Sequence, residues 1–163
     1  MLAPVLAGHE GELRRTLEAL PDEELSPLAR VRGLHFARWV IVPDLVYGAE
    51  PQRPDRLERP LLVFTSSFDG TPRDHVDALI EGLGDTADAV WTHCEGWPGR
   101  DAGADWLLAH RVRTGLFVAG YPHATVAEVR HALRSRERLL SLAEQTQGAD
   151  AETVRRRFIE EFG

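Results

Sequence analysis

The segment LLVFTSSFDGTPRDH, Leu61–His75, changes from strand to helix character within fifteen residues. Leu61–Thr65 is a short apolar run of strand type. Ser66, Ser67, Phe68, Asp69 and Gly70 read as a polar turn. Thr71 is placed to cap a helix, with Pro72 at its first position and Asp74 three residues after the cap. That spacing is a capping box with a helix-start proline added. A carboxylate, hydroxyls and free backbone N–H groups then converge at a helix N-terminus, where anions are favoured. The plain alternative is a well-made strand-to-helix turn.

Working outward from this segment gives an alternating order of elements. Leu2–Leu6 is a short apolar run, and His9–Leu20 carries Leu13, Leu17 and Leu20 on one helical face. Pro27–Arg32 is a link, and Leu34–Val42 (LHFARWVIV) has the β-branched and aromatic content of a strand. Tyr47–Pro60, with Pro51, Pro54 and Pro60 among charges, reads as a long loop. Two helical stretches follow, Pro72–Leu83 and Asp85–Cys94, broken by Gly82 and Gly84. Asp105–Arg111 is a short helix and Gly115–Tyr121 (GLFVAGY) a further strand. Thr125 with Glu128 forms a second capping box before a long helix, and Ala151–Phe162 is a terminal helix.

Composition limits the function classes. With 163 residues, 43% hydrophobic and 28% charged, the chain fits one globular domain, 1–163. A net charge of -7 and a pI near 5.5 argue against nucleic acid or an anionic membrane surface as a partner. No apolar run approaches the ~20 residues that span a bilayer. The single cysteine, Cys94, permits no internal disulfide and fits a reducing, cytoplasmic setting. There is no G-x-S-x-G elbow, Walker loop or H-E-x-x-H helix.

The order strand, helix, strand, strand, helix, strand is the βαββαβ pattern of ferredoxin-like domains, an α+β class with an antiparallel sheet and helices on one face. The core would occupy about residues 2–121, with added helices over 125–162. The opening PVLAGHEGELRRTLEAL together with this order resembles the dimeric α/β barrel superfamily. That resemblance implies a homodimer formed sheet to sheet. Ser66–Gly70, SSFDG, is similar to the G-x-x-D-G motif of dye-decolourising peroxidases in that superfamily, with Ser66 replacing the first glycine in a much shorter chain. Small heme-degrading monooxygenases of the superfamily are nearer in size and place an axial histidine on the second helix of the motif.

From this resemblance the expected function is a small heme-dependent oxidoreductase acting on an organic molecule with oxygen or peroxide. It implies heme b, with His93 as axial ligand, Trp97 and Arg38 beside the cofactor, and Asp69 as distal acid/base. His75 borders the apolar stripe of its helix, and His110 ends the helix WLLAH; both are secondary ligand candidates. Arg38 among apolar strand residues needs a partner, and Asp69 or an anionic ligand would serve. A cofactor-free enzyme or small-molecule-binding protein is the alternative, with a polar pocket of His35, Arg38, Asp69 and Tyr121. A non-catalytic dimerisation module is the third. His9, His123 and His131 read as surface residues. The four tryptophans either fill the core or line an apolar pocket.

Overall fold

The strand inside the opening segment is the centre of the sheet. In the computed structural model, which describes residues 1–22, 25–45, 50 and 57–163, β3 spans Leu61–Phe68. It pairs antiparallel with β1 (Leu2–Pro4) on one side and β2 (Leu34–Val42) on the other, in the order β1-β3-β2. Side chains alternate across a strand. Leu62 and Phe64 are therefore buried on one face, opposite Ile41 and Trp39 of β2. The other face presents Phe36, Arg38 and Val40, all exposed. Arg38 Nε donates to Thr65 Oγ1 across that face at 3.2 Å.

Helices cover the inner face. α1 spans Glu10–Glu18 and is anchored by the fully buried Leu13. α2 (Pro72–Leu83) begins at the capping box read from the sequence. Asp74 N–H donates to Thr71 Oγ1 at 3.2 Å, and Thr71 N–H donates back to Asp74 Oδ2 at 3.4 Å. Its buried stripe is His75, Val76, Leu79 and Leu83. Gly84, at φ 55°, then separates α2 from α3 (Asp85–Trp91). Glycine adopts that conformation without steric cost. α4 (Arg100–Ala109) packs beside α2. The tryptophans fill the core: Trp91 is fully buried and meets the rings of Trp39, Phe64 and Trp97, and Trp97 meets Trp106.

The structure corrects the ferredoxin-like expectation. Its sheet has three strands among the described residues, not four. Gly115–Tyr121 forms no strand, and Leu116, Phe117, Val118 and Tyr121 are all exposed. The outer edge of β1 is already taken. Leu6 N–H donates to the His93 carbonyl at 2.8 Å, Glu95 N–H to the Pro4 carbonyl at 2.9 Å, and Leu2 N–H to the His110 carbonyl at 3.1 Å. The sheet surface that motivated a homodimer accordingly lacks the contribution expected of residues 116–121. Ser66, Ser67 and Phe68 belong to β3 and not to a turn. The Tyr47–Pro60 loop lies largely outside the described residues.

The chain divides into two compact units, Met1–Val118 and Ala119–Gly163. The second contains α5 (Val126–Gln145), opened by the Thr125–Glu128 capping box, and α6 (Ala151–Phe162), capped by Asp150. Within it Leu142 is buried, Arg138 Nε donates to Glu161 at 2.6 Å, and the Arg138 guanidinium lies over the Phe162 ring. No helix among the described residues is long and apolar enough to cross a membrane.

Gly103 tests the α2–α4 packing. A Cβ there would overlap the far edge of the Trp97 ring and come within 3.0 Å of Ile80 Cδ1. The Trp97 ring cannot swing away, because it is packed on Trp91 and Trp106 and its Nε1–H donates to Asp88 at 2.8 Å. In an open helix Gly→Ala stabilises by about 1 kcal/mol. Gly103→Ala is expected instead to lower unfolding stability by about 1–3 kcal/mol in urea titrations, the ordinary cost of overpacking. A stabilised variant would show that this interface is loosely packed.

Candidate functional site

β1 is too short to cover its neighbour, and that leaves an opening. It pairs with Leu61–Val63 only, and Phe64 N–H reaches the Met1 carbonyl at 3.1 Å. Beyond that point β3 has no partner strand on this side among the described residues. A cleft of about 630 Å³ lies along the uncovered edge, bounded by β3, by α2, by the end of α4 and by residues 111–114. This size is typical of small-molecule sites.

The alternation of β3 that buries Phe64 also sends Ser66 and Phe68 toward α2. Both meet His75. The Ser66 hydroxyl and His75 Nε2 share a hydrogen bond of 2.9 Å. The Phe68 ring stacks flat on the imidazole, with centroids 3.9 Å apart and an interplanar angle of 3°. His75 is only 5% exposed, not the half-exposed helix residue its position suggested. Its Nδ1 is buried without a hydrogen-bond partner among the described residues. Burial pushes its pKa down to about 4, so the ring is neutral near pH 7. So weak a base does little to activate Ser66 as a nucleophile. The pair is suited to hydrogen bonding with a ligand.

The remaining lining is apolar, chiefly Phe64, Val76, Leu79, Leu107 and Leu108. Arg111 and Arg113, both exposed, contribute at its rim. Among the described residues no Asp or Glu lines the cleft, although the chain carries a net charge of -7.

A second grouping lies where β1 leads into α1. His9 is the N-cap residue of α1, but its side chain makes no capping hydrogen bond. Its Nδ1 sits 3.1 Å from His93 Nδ1, and Glu12 is the third member of the cluster. The backbone fixes this meeting. The Leu6–His93 hydrogen bond brings the two chain segments together, and Gly8, at φ 81°, turns the chain so that His9 returns over His93. Desolvation of His93, reinforced by His9, lowers its pKa; Glu12 acts in the opposite sense. His9 was read as a surface residue because its partner lies 84 residues away.

The other sequence candidates are dispersed. Asp69 accepts from His35 Nε2 at 2.8 Å, and Arg38 donates to Thr65. His110 stacks on Trp106 and its Nδ1–H donates to the Trp106 carbonyl at 2.8 Å. Trp97 is held by Asp88, and Tyr121 is exposed in the second unit. Among the described residues, His93, Asp69, Arg38 and Trp97 do not line the cleft, where His75 is the one candidate. The residues assigned to a heme each have a different neighbour: His93 meets His9, Arg38 donates to Thr65, Asp69 accepts from His35 and Trp97 donates to Asp88.

The depressed pKa of His75 has a measurable consequence. The unfolded chain binds the proton near pH 6.5 and the folded chain only near pH 4. The stability contribution is full above pH 6.5 and falls as pH drops through this window. Between about pH 7.5 and about pH 5 the wild type is expected to lose about 2 kcal/mol more than His75→Phe in urea titrations. Parallel pH curves for the two proteins would refute the buried, neutral imidazole.

No protein-family model, curated protein or solved structure matches this chain.

Proposed function

We propose that this chain binds a small, largely apolar organic anion of the monocarboxylate class in the cleft along β3. The observation that carries this reading is the charge of the lining. In a chain with 26 acidic and 19 basic residues, the described lining of the cleft includes two arginines and no carboxylate side chain. Apolar walls of Phe64, Leu79, Leu107 and Leu108 suit a hydrocarbon or aromatic body. The Ser66–His75 pair adds a polar group to an otherwise apolar wall. Arg111 and Arg113 favour the anionic group over a neutral analogue. The reading makes the protein a small-molecule binder that needs no cofactor.

Fluorescence titration with anilinonaphthalene sulfonate, an apolar anion, and phenylnaphthylamine, its neutral counterpart, tests the proposal. The double charge reversal Arg111→Glu/Arg113→Glu is expected to weaken the anionic probe by about 10-fold or more, as expected for removing favourable charge near a partly exposed site. The neutral probe should change by less than about 2-fold. Leu108→Trp, which fills the cleft, should abolish binding of both while circular dichroism remains native. Anion binding indifferent to Leu108→Trp would place the probe elsewhere and overturn the reading. Equal losses for both probes in the charge-reversed variant would overturn the preference for an anion.

A further inference from the structure

We propose that His9, Glu12 and His93 form a binding site for one divalent transition-metal ion, with zinc as the first ion of choice. Each residue offers one ligand atom, and the three atoms lie within 4.8 Å of one another. The site is separate from the cleft and stands independently of its proposed ligand.

The spacing of the two imidazoles matches what a shared ion requires. Zinc binds histidine nitrogen at about 2.0–2.1 Å. Two such nitrogens on one ion stand about 3.0–3.4 Å apart across octahedral to tetrahedral geometry. His9 Nδ1 and His93 Nδ1 are 3.1 Å apart. Their ring centroids are 5.4 Å apart with planes at 62°, an edge-on arrangement and not a stack. Glu12 is exposed and three residues beyond His9, one turn into α1. One of its carboxylate oxygens lies within 4.8 Å of a ring nitrogen of each histidine. The neighbouring Glu10 is held by Arg14 at 3.0 Å, whereas Glu12 makes no ion pair with any described residue.

The local sequence also favours a ligand role over a structural one. A helix N-cap is normally Ser, Thr, Asp or Asn, and losing that side-chain cap costs about 1 kcal/mol. The His9 side chain makes no bond to the helix backbone, and its ring is turned to His93. His93 in turn is fixed by main-chain hydrogen bonds of Leu6 and Glu95 on either side of the buried Cys94. The His/His/Glu donor set, two imidazole nitrogens and one carboxylate oxygen, is among those that zinc and ferrous iron accept. Three protein ligands leave a fourth position for water or for an atom of an exogenous molecule.

Isothermal titration of the full chain with zinc chloride in a non-chelating buffer tests the site, with visible absorption of the cobalt(II) form as a second readout. One ion per chain is expected. Glu12→Gln and His9→Ala should each weaken zinc by at least about 10-fold, since loss of even an outer-shell partner commonly costs that much. His131→Ala, in α5, should bind as the wild type does. The cobalt d–d bands should shift in Glu12→Gln and be lost in His9→Ala. Because Glu12 is exposed, its variant reads the site without disturbing the fold. Zinc affinity weaker than about 100 µM, or unaltered by both substitutions, would overturn the proposal and leave His9–His93 as a hydrogen bond between two imidazoles.

Discussion

Everything in the first unit leans on the two-residue alternation of β3. Leu62 and Phe64 enter the core, and the same inward phase delivers Ser66 and Phe68 to His75. A slip of one residue would send all four to the face shared by Arg38 and Val40. The register with β2 is continuous from Phe36↔Ser67 to Val42↔Leu61, which holds that phase over seven residue pairs. Core and cleft are therefore successive parts of one strand face. The change from Phe64 to Ser66 marks where packing gives way to a site. Thr71 and Asp74 then set where α2 begins, and so where His75 meets Ser66.

The cleft owes its existence to a mismatch in strand length. β3 has eight residues and β1 three. The unpaired part of β3 would be an exposed edge, which proteins usually cover or blunt. Here α2, α4 and the segment after α4 wall it in and leave room for a guest. The acidic character of the chain is excluded from this space, a local arrangement that the net charge conceals. His75 is the buried polar residue of this wall, held by the Ser66 hydroxyl and the Phe68 ring.

Much of the scaffold was legible in the amino-acid order, because local rules govern it. The limits of β2 and α2 follow from β-branched content, the Pro72 start and the Gly84 break, and both capping boxes are present. The errors have a common physical origin in tertiary competition. GLFVAGY has strand composition, yet the β1 edge is occupied by backbone around His93–Glu95 and by His110. The apolar side chains of GLFVAGY are exposed and bury nothing, and strand composition without packing does not make a strand. Ser66–Phe68 looked like a turn from its hydroxyls, but pairing with β2 extends the strand through them. The sites were less legible still. His75 could be placed on a helix border, while its burial depends on Phe68 stacking. His9 and His93 carry no local spacing signal at all, since their meeting depends on β1 docking.

That docking has a kinetic side. β2 and β3 close first through Val42↔Leu61, 19 residues apart, while β1 pairs through Leu2↔Val63, 61 residues apart. By loop-closure entropy the longer connection costs about 1 kcal/mol more to form. The β2–β3 hairpin is thus the natural nucleus, and β1 adds to it late. The His9–His93 contact is assembled on the far side of β1, through the Leu6 hydrogen bond. Nearness of these two imidazoles is consequently a marker of completed folding: a chain caught with its hairpin and α2 formed would possess a core and half a cleft, but the two histidines would still be strangers.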